Sequence, residues 1–218
     1  MKSSNICPFG KKLQRYWNNR YHYFHRFDEG IQTDAEGLHT VIPESVAIMQ
    51  AELLSKANIV LDGFCGIGGS AIALARRGKR VFTVELNSER LAMAKNNARV
   101  YGVERFITFI NGDFFDVAPS INADAAILDP PWGWPRYRKI DVFQLEHFNP
   151  DGSKIINFAL NYFNLILLRT PKNFNTSELN QFNIIYHAYN EMLHNTIISK
   201  SIIIKPMRPG MSCLKVTI

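Results

Sequence analysis

The feature that most limits the fold of this chain is the alternation that begins at residue 59. Ile59-Val60-Leu61 is an apolar run of strand length, followed by the glycine-rich turn Asp62-Gly63-Phe64-Cys65-Gly66-Ile67-Gly68-Gly69. Residues 70–77 form an alanine-rich helical stretch closed by Gly78, and residues 80–86 read as a second strand with Glu85 near its end. Ser88 can cap a helix running to Tyr101, with Gly102 as its stop. A third strand is expected over 106–110, leading into Asn111-Gly112-Asp113-Phe114, and a fourth over 123–128. Helices inserted between short apolar strands connect parallel neighbours, so the expected fold is α/β, a doubly wound Rossmann-like sheet.

Beyond this core the pattern predicts a helix over 154–163 and a fifth strand over 165–168 that ends at Arg169. Leu179, Phe182, Tyr186, Tyr189 and Leu193 fall on one helical face, and residues 201–206 and 211–218 read as a terminal antiparallel hairpin around Arg208-Pro209-Gly210. Upstream, residues 11–29 have helical spacing ended by Asp28-Glu29-Gly30, residues 34–37 read as a turn, and Pro43 opens a second helix through Leu54. The expected organisation is a helical extension over 1–54 packed on an α/β domain over 55–218.

Charge bears on the partner. Lys and Arg outnumber Asp and Glu by 25 to 19, and the sequence pI is about 9.3. Lys11, Lys12, Arg15, Arg20 and Arg26 are interleaved with Tyr16, Trp17, Tyr21, Tyr23, Phe24 and Phe27. Cations beside aromatics suit nucleic-acid phosphates and bases, and the same spacing also suits an amphipathic helix docked by its aromatic face. Both uses are expected, on different faces. Cys7, Cys65 and Cys213 are too scattered for a disulfide framework or a zinc site, which points to a reducing intracellular setting without a metal. No apolar run reaches the length of a membrane span, and the first ten residues lack a secretory h-region.

The turn at 62–69 lacks the Gly-Lys-Ser/Thr of a phosphate loop and holds only half of a dinucleotide fingerprint. Asp62 suits the amino group of an amino-acid moiety, Glu85 a ribose diol, and Asp113-Phe114 an adenine edge and face. In that order along three strand ends, with Phe64, Gly66 and Gly68 in the first turn, they describe a site for S-adenosylmethionine.

The fourth strand delivers Asp129-Pro130-Pro131-Trp132-Gly133-Trp134-Pro135. The prolines stop the strand and leave a stiff loop with a carboxylate, free carbonyls and a flat ring. Asp-Pro-Pro-aromatic resembles the signature of methyltransferases acting on exocyclic amino nitrogens of bases. An aryl amine is a poor nucleophile, and Asp129 with the Pro130 carbonyl would accept its two hydrogens while Trp132 fixes the plane of the base. The loop could also be a buried strand end with no such role. Tryptophan offers the strongest π-face to a cation, so Trp132 favours a positively charged 7-methylguanine. Arg169 suits either a phosphate contact or a surface salt bridge.

Taken together, these segments resemble the trimethylguanosine synthase family, in its catalytic region. The resemblance rests on Arg15-Tyr16-Trp17, Arg26-Phe27-Asp28-Glu29-Gly30-Ile31, Leu61-Asp62-Gly63-Phe64-Cys65-Gly66-Ile67-Gly68-Gly69, Asn96-Asn97-Ala98, Asp129-Pro130-Pro131-Trp132-Gly133-Trp134-Pro135-Arg136-Tyr137 and Leu168-Arg169-Thr170. It implies methyl transfer from S-adenosylmethionine to guanine N2 of a 7-methylguanosine cap on small nuclear or nucleolar RNA, by a monomer in the nucleus or nucleolus. It further implies that Trp132, with Pro135 and Tyr137, holds the base, that Arg15 and Arg169 meet the cap phosphates, and that Phe24 closes over a cofactor lined by Asp62, Glu85, Asp113, Phe114 and Asp129. Ile42 stands where the family often carries a hydroxyl residue, and Trp134 where it carries a glycine. A methyltransferase for guanine or adenine in another nucleic acid, and an inactive cap-binding protein, are the alternatives.

Overall fold

The computed structural model describes residues 5–207. Its seven-stranded sheet has the order β3-β2-β1-β4-β5-β7-β6. The five parallel strands are β1 (Ile59–Asp62), β2 (Arg80–Glu85), β3 (Ile107–Asn111), β4 (Ala125–Leu128) and β5 (Ile166–Pro171). The antiparallel end is β6 (Ile184–Leu193) with β7 (Thr196–Pro206), the latter paired to β5. Strand order reverses between β1 and β4, and β4 is where the Asp-Pro-Pro loop begins. In open α/β sheets such a reversal leaves a crevice at the carboxyl ends of the strands.

Alternation along each strand divides the core into two layers. Val60, Val81, Ile107, Ile127, Leu167 and Ile203 share one cluster with Ile72 and Leu74 of α5 (Gly69–Arg76) and Ala98 of α6 (Ser88–Val100). On the other face Leu61, Val84, Leu128, Leu168, Ile202 and Ile204 pack with Phe114 of α7 (Phe114–Val117) and Ile155 and Ile156 of α8 (Gly152–Leu160). Asn87, one residue before Ser88, caps α6 by accepting from the amides of Glu89 and Arg90 at 2.9 and 3.1 Å.

The extension is more broken than its spacing predicts. A 3-10 turn, Lys11–Leu13, leads into α1 (Gln14–Asn18) and α2 (Arg20–Tyr23), with a second 3-10 turn at Phe27–Glu29. Asn19 separates the two helices, its side-chain amide donating back to the Arg15 carbonyl at 2.8 Å. Such local bonding competes with helix continuation. Residues 34–37, expected to be a turn, instead begin α3 (Ala35–Thr40), capped by the Asp34 carboxylate on the Gly37 amide at 2.5 Å. The second helix opens after Pro43 as expected, as α4 (Glu44–Leu53). Tyr16, Trp17, Tyr23, Phe24 and Phe27 lie in the same cluster as the sheet, so extension and α/β domain share one core.

The C-terminal part corrects two expectations. The aromatic positions between 184 and 193 belong to a strand, since Ile184, Ile185, Tyr186 and Tyr189 favour a pleated surface and their helical spacing over this short run was coincidental. The hairpin is therefore β6–β7, turned by His194 and Asn195 at φ 48° and 60°. Residues 211–218, expected as its second strand, lie outside the described residues. No helix among the described residues is long and apolar enough to cross a membrane.

Candidate active site

The carboxyl ends of β1 to β5 and the extension enclose a cleft of about 1490 Å³. Its sheet-side wall is the glycine turn after β1, where Gly66 and Gly68 adopt φ 53° and 93°, a region side chains rarely enter. A Cβ on Gly68 would also sit 3.2 Å from that of Ala94 in α6. The turn is tied to β2, with the Cys65 amide donating to the Val84 carbonyl at 2.8 Å and the Gly66 amide to Glu85 Oε2 at 2.8 Å. Glu85 Oε1 accepts from the Asn87 amide at 2.9 Å, so the carboxylate is fixed at the end of its strand. Asp113 caps α7 through the Phe115 amide at 2.8 Å and still lines the cleft, beside Phe114 and Phe64. The two rings are 5.5 Å apart at 33°.

Asp62 is placed differently from the expectation. It is 2% exposed and lies beneath the turn, accepting from the Thr83 hydroxyl at 3.1 Å and more weakly from the Phe64 amide at 3.4 Å. Burial, with Asp129 and Glu85 nearby, pushes its carboxyl up to about 7, against the pull of those two donors. Through these bonds it braces the turn, and it is not among the residues that line the cleft. Phe24 is 2% exposed, with its ring 6.1 Å from Tyr101, and is not among the residues that line the cleft.

The donor set still fits S-adenosylmethionine. Glu85, Asp113 and Asp129 would repel a pyrophosphate, whereas a cationic amino-acid nucleoside meets carboxylates, flat rings and turn amides in the right order. Among the described residues no group of three His, Cys, Asp or Glu side chains could hold a metal ion.

Below the β4 loop lies a network that the sequence did not disclose. Arg169, 6% exposed on β5, donates from Nη1 to Asp129 Oδ2 at 2.8 Å, from Nε to Glu191 Oε2 at 2.9 Å and from Nη2 to the Ser199 hydroxyl at 3.0 Å. Glu191 is fully buried, and its second oxygen accepts from Ser201 at 2.5 Å and Gln50 at 3.0 Å. Arg169 is thus bound in a buried ion pair, neither a surface bridge nor a free phosphate ligand. Its guanidinium carbon lies 4.8 Å from the Trp132 ring centroid, covering one face of the indole. Burial raises the Asp129 carboxyl above the usual range, while Arg169 opposes that shift. Among the described residues no hydrogen bond uses Asp129 Oδ1 or the Pro130 carbonyl. Tyr137 meets Trp132 edge-on at 5.5 Å, and Pro135 is exposed outside the lining.

The opposite wall is the extension. A Cβ on Gly37 would come 2.6 Å from Ile67 Cγ2, so α3 seats on the glycine turn only because that residue is glycine. Asn97, fully buried, donates to the carbonyls of Gln32 and Ile67 at 2.9 and 3.0 Å and joins extension to turn. Ile42 also lines the cleft. Trp134 packs on His39 of α3, ring centroids 3.9 Å apart, and Arg138 hydrogen-bonds the Tyr16 hydroxyl. These two contacts cross from the β4 loop to the extension. Arg15 and Lys172 are exposed at the cleft. Arg20, counted among the basic residues of the extension, is 5% exposed, its guanidinium carbon 4.9 Å from the Trp17 ring and 4.4 Å from that of Tyr21. Glu191 was missed because β6 was read as a helix, and His39 because a single polar residue carries no spacing signal; Asn97 was quoted in a matching segment, but without the role of joining extension to turn.

Comparison with known proteins gives this geometry its relatives. The chain is 33% identical over 198 residues to the trimethylguanosine synthase of Schizosaccharomyces pombe, covering 86% of this chain and 82% of that one. It is 32% identical over 182 residues to that of Saccharomyces cerevisiae, covering 78% of this chain and 57% of the relative. In fold it is similar to TrmN from Thermus thermophilus, with TM-score 0.57 and 19% identity over 76% of this chain and 49% of that one. A Bacillus cereus O-methyltransferase in complex with S-adenosylhomocysteine gives TM-score 0.56 and 15% identity over 83% and 95%. The chain thus shares the Rossmann-like fold of those two methyltransferases. The family model for RNA cap guanine-N2 methyltransferase matches residues 57–204, which carry the glycine turn, the β4 loop and the Arg169–Glu191 pair alike, and the chain belongs to that family.

Proposed function

We propose that Asp129, Pro130 and Trp132 form the centre at which this enzyme methylates N2 of 7-methylguanosine, on the caps of small nuclear and nucleolar RNAs in the nucleus. The observation that carries this reading is the Arg169–Asp129–Glu191 network under the Trp132 ring. Two carboxylates serve one guanidinium, so the network favours a cationic base on the open face of the indole over a neutral one. Asp129 Oδ1 and the Pro130 carbonyl accept the two N2 hydrogens and turn the nitrogen lone pair toward the cofactor side of the cleft. S-adenosylmethionine supplies an activated methyl group when bound. Positioning by these residues is then the main contribution to rate. Glu85, Asp113, Phe64 and Phe114 hold the cofactor, with Gly66 and Gly68 giving it backbone approach and Asp62 bracing the turn. Arg15 and Lys172 meet the cap phosphates in place of the occupied Arg169.

The test is methyl transfer from labelled S-adenosylmethionine to 7-methyl-GTP and to GTP, followed by mass spectrometry of the product. Transfer confined to the 7-methylated nucleotide, at N2, is expected. Equal transfer to both would overturn the cap reading, and binding without transfer would leave a cap-binding protein. The exhausted product's mass separates one added methyl group from two.

A further inference from the structure

The β4 loop carries a second indole that the N2 chemistry does not use. Trp134 remains 38% exposed although one side of its ring rests on the His39 imidazole, 3.9 Å away at 38°. His39 is fixed from behind, its Nδ1 lying 2.8 Å from the Ala35 carbonyl oxygen. Burial lowers the His39 pKa, which favours the neutral imidazole. Both Trp132 and Trp134 line the cleft, whose 1490 Å³ exceeds the roughly 300–1,000 Å³ of a pocket for one small ligand. The 3-10 turn that follows, Arg136–Lys139, exposes Arg136, Arg138 and Lys139. An exposed aromatic beside a short run of cations is the arrangement that grips single-stranded nucleic acid, base on ring and phosphate on cation.

We infer that Trp134, backed by His39, is a stacking platform for the first nucleoside beyond the cap's triphosphate bridge, with Arg138 and its exposed neighbours receiving the phosphate that follows. The inference rests on the cap reading above and extends it from the methylated base to the body of the RNA. The ligand is any nucleoside in that place, since a ring-on-ring contact without edge hydrogen bonds does not distinguish bases.

The experiment compares KM for 7-methyl-GTP with KM for the cap dinucleotide in which the triphosphate joins 7-methylguanosine to adenosine. The wild-type enzyme is expected to bind the dinucleotide about tenfold better, in the range that one base stacked on an aromatic contributes. Trp134→Ala is expected to bring the two KM values together, while Trp134→Phe keeps most of the difference. S-adenosylhomocysteine binding by each variant, measured calorimetrically, establishes that the cleft is intact. A wild-type enzyme that does not prefer the dinucleotide overturns the inference. So does a Trp134→Ala variant whose KM values rise in equal proportion, which would make Trp134 only a strut against α3. Failure of the wild-type enzyme to methylate 7-methyl-GTP is a separate result that removes the cap reading and this inference with it.

Discussion

Asp129 and Arg169 are bound to one another, Oδ2 to Nη1, at 2.8 Å, with the guanidinium 8% and the carboxylate 22% exposed. The arginine therefore serves the β4 loop from beneath. Arg169→Met would leave the buried Glu191 and the half-buried Asp129 carboxylates without a cation. The expected loss of stability is about 3–5 kcal/mol, read from urea denaturation midpoints at constant m-value.

Trp132 separates stacking from hydrogen bonding. Its indole Nε1 is buried and has no partner. Trp132→Phe loses no hydrogen bond, so its cost should be confined to lost packing and weaker stacking on Arg169, about 1–2 kcal/mol. Trp132→Ala should raise KM for 7-methyl-GTP by roughly ten- to a hundredfold, with the affinity for S-adenosylhomocysteine held within a factor of about two. An alanine variant with wild-type KM would show that the base is gripped elsewhere.

Asp62 gives a pH dependence of definite sign. Its carboxyl titrates near 7 in the folded chain against a normal 3.8. Between those values the folded state holds a proton that the unfolded chain releases, so this residue's contribution to stability falls as pH rises and levels off above 7. Asp62→Asn removes that slope. Relative to wild type, the variant should gain stability from pH 4 to pH 7, by an amount on the order of a few kcal/mol. Paired thermal or urea curves at pH 5 and 8 measure it.

Arg15 and Lys172 can be tested by substrate length. Each substituted by alanine should raise KM for 7-methyl-GTP several-fold and leave the 7-methylguanosine nucleoside unaffected. The salt dependence of KM for the triphosphate should become shallower in both, because fewer phosphates are neutralised. A nucleoside KM that rises equally would place these cations at the base instead.

Much of this was legible before the structure. The strand and turn from Ile59 to Gly69, the acids at the ends of β2 and β3, and the Pro-Pro stop after β4 are local signals, and each sits at the sheet edge where it was expected. The contents of the ion-pair network were not legible, because Asp129, Arg169 and Glu191 meet only through strand order. Glu191 in particular faces inward at a bulge of β6. Phe24 shows the converse limit: its aromatic character is plain in the sequence, but whether it faces cleft or core depends on how α2 ends. Trp134 was conspicuous and unexplained until α3 brought His39 against it. Residues 184–193 were expected as a helix because apolar spacing over ten residues fits both a helix and a strand with two wet faces.

The bond from Gln50 to Glu191 joins positions 141 residues apart, from the fourth helix of the extension to the hairpin at the far edge of the sheet. Through Glu191 and Arg169 it continues to Asp129 at the centre. Loss of the extension would take a donor from the buried Glu191 carboxylate, and loss of the hairpin would leave Arg169 without Glu191. With extension and sheet sharing one core, a probe in the aromatic extension and a probe in the β4 loop are expected to report the same unfolding transition. A fragment cut to residues 57–204 would lose only the last two residues of β7 from the sheet yet lose Gln50, and with it one of the groups that hold the Glu191 carboxylate beneath the site.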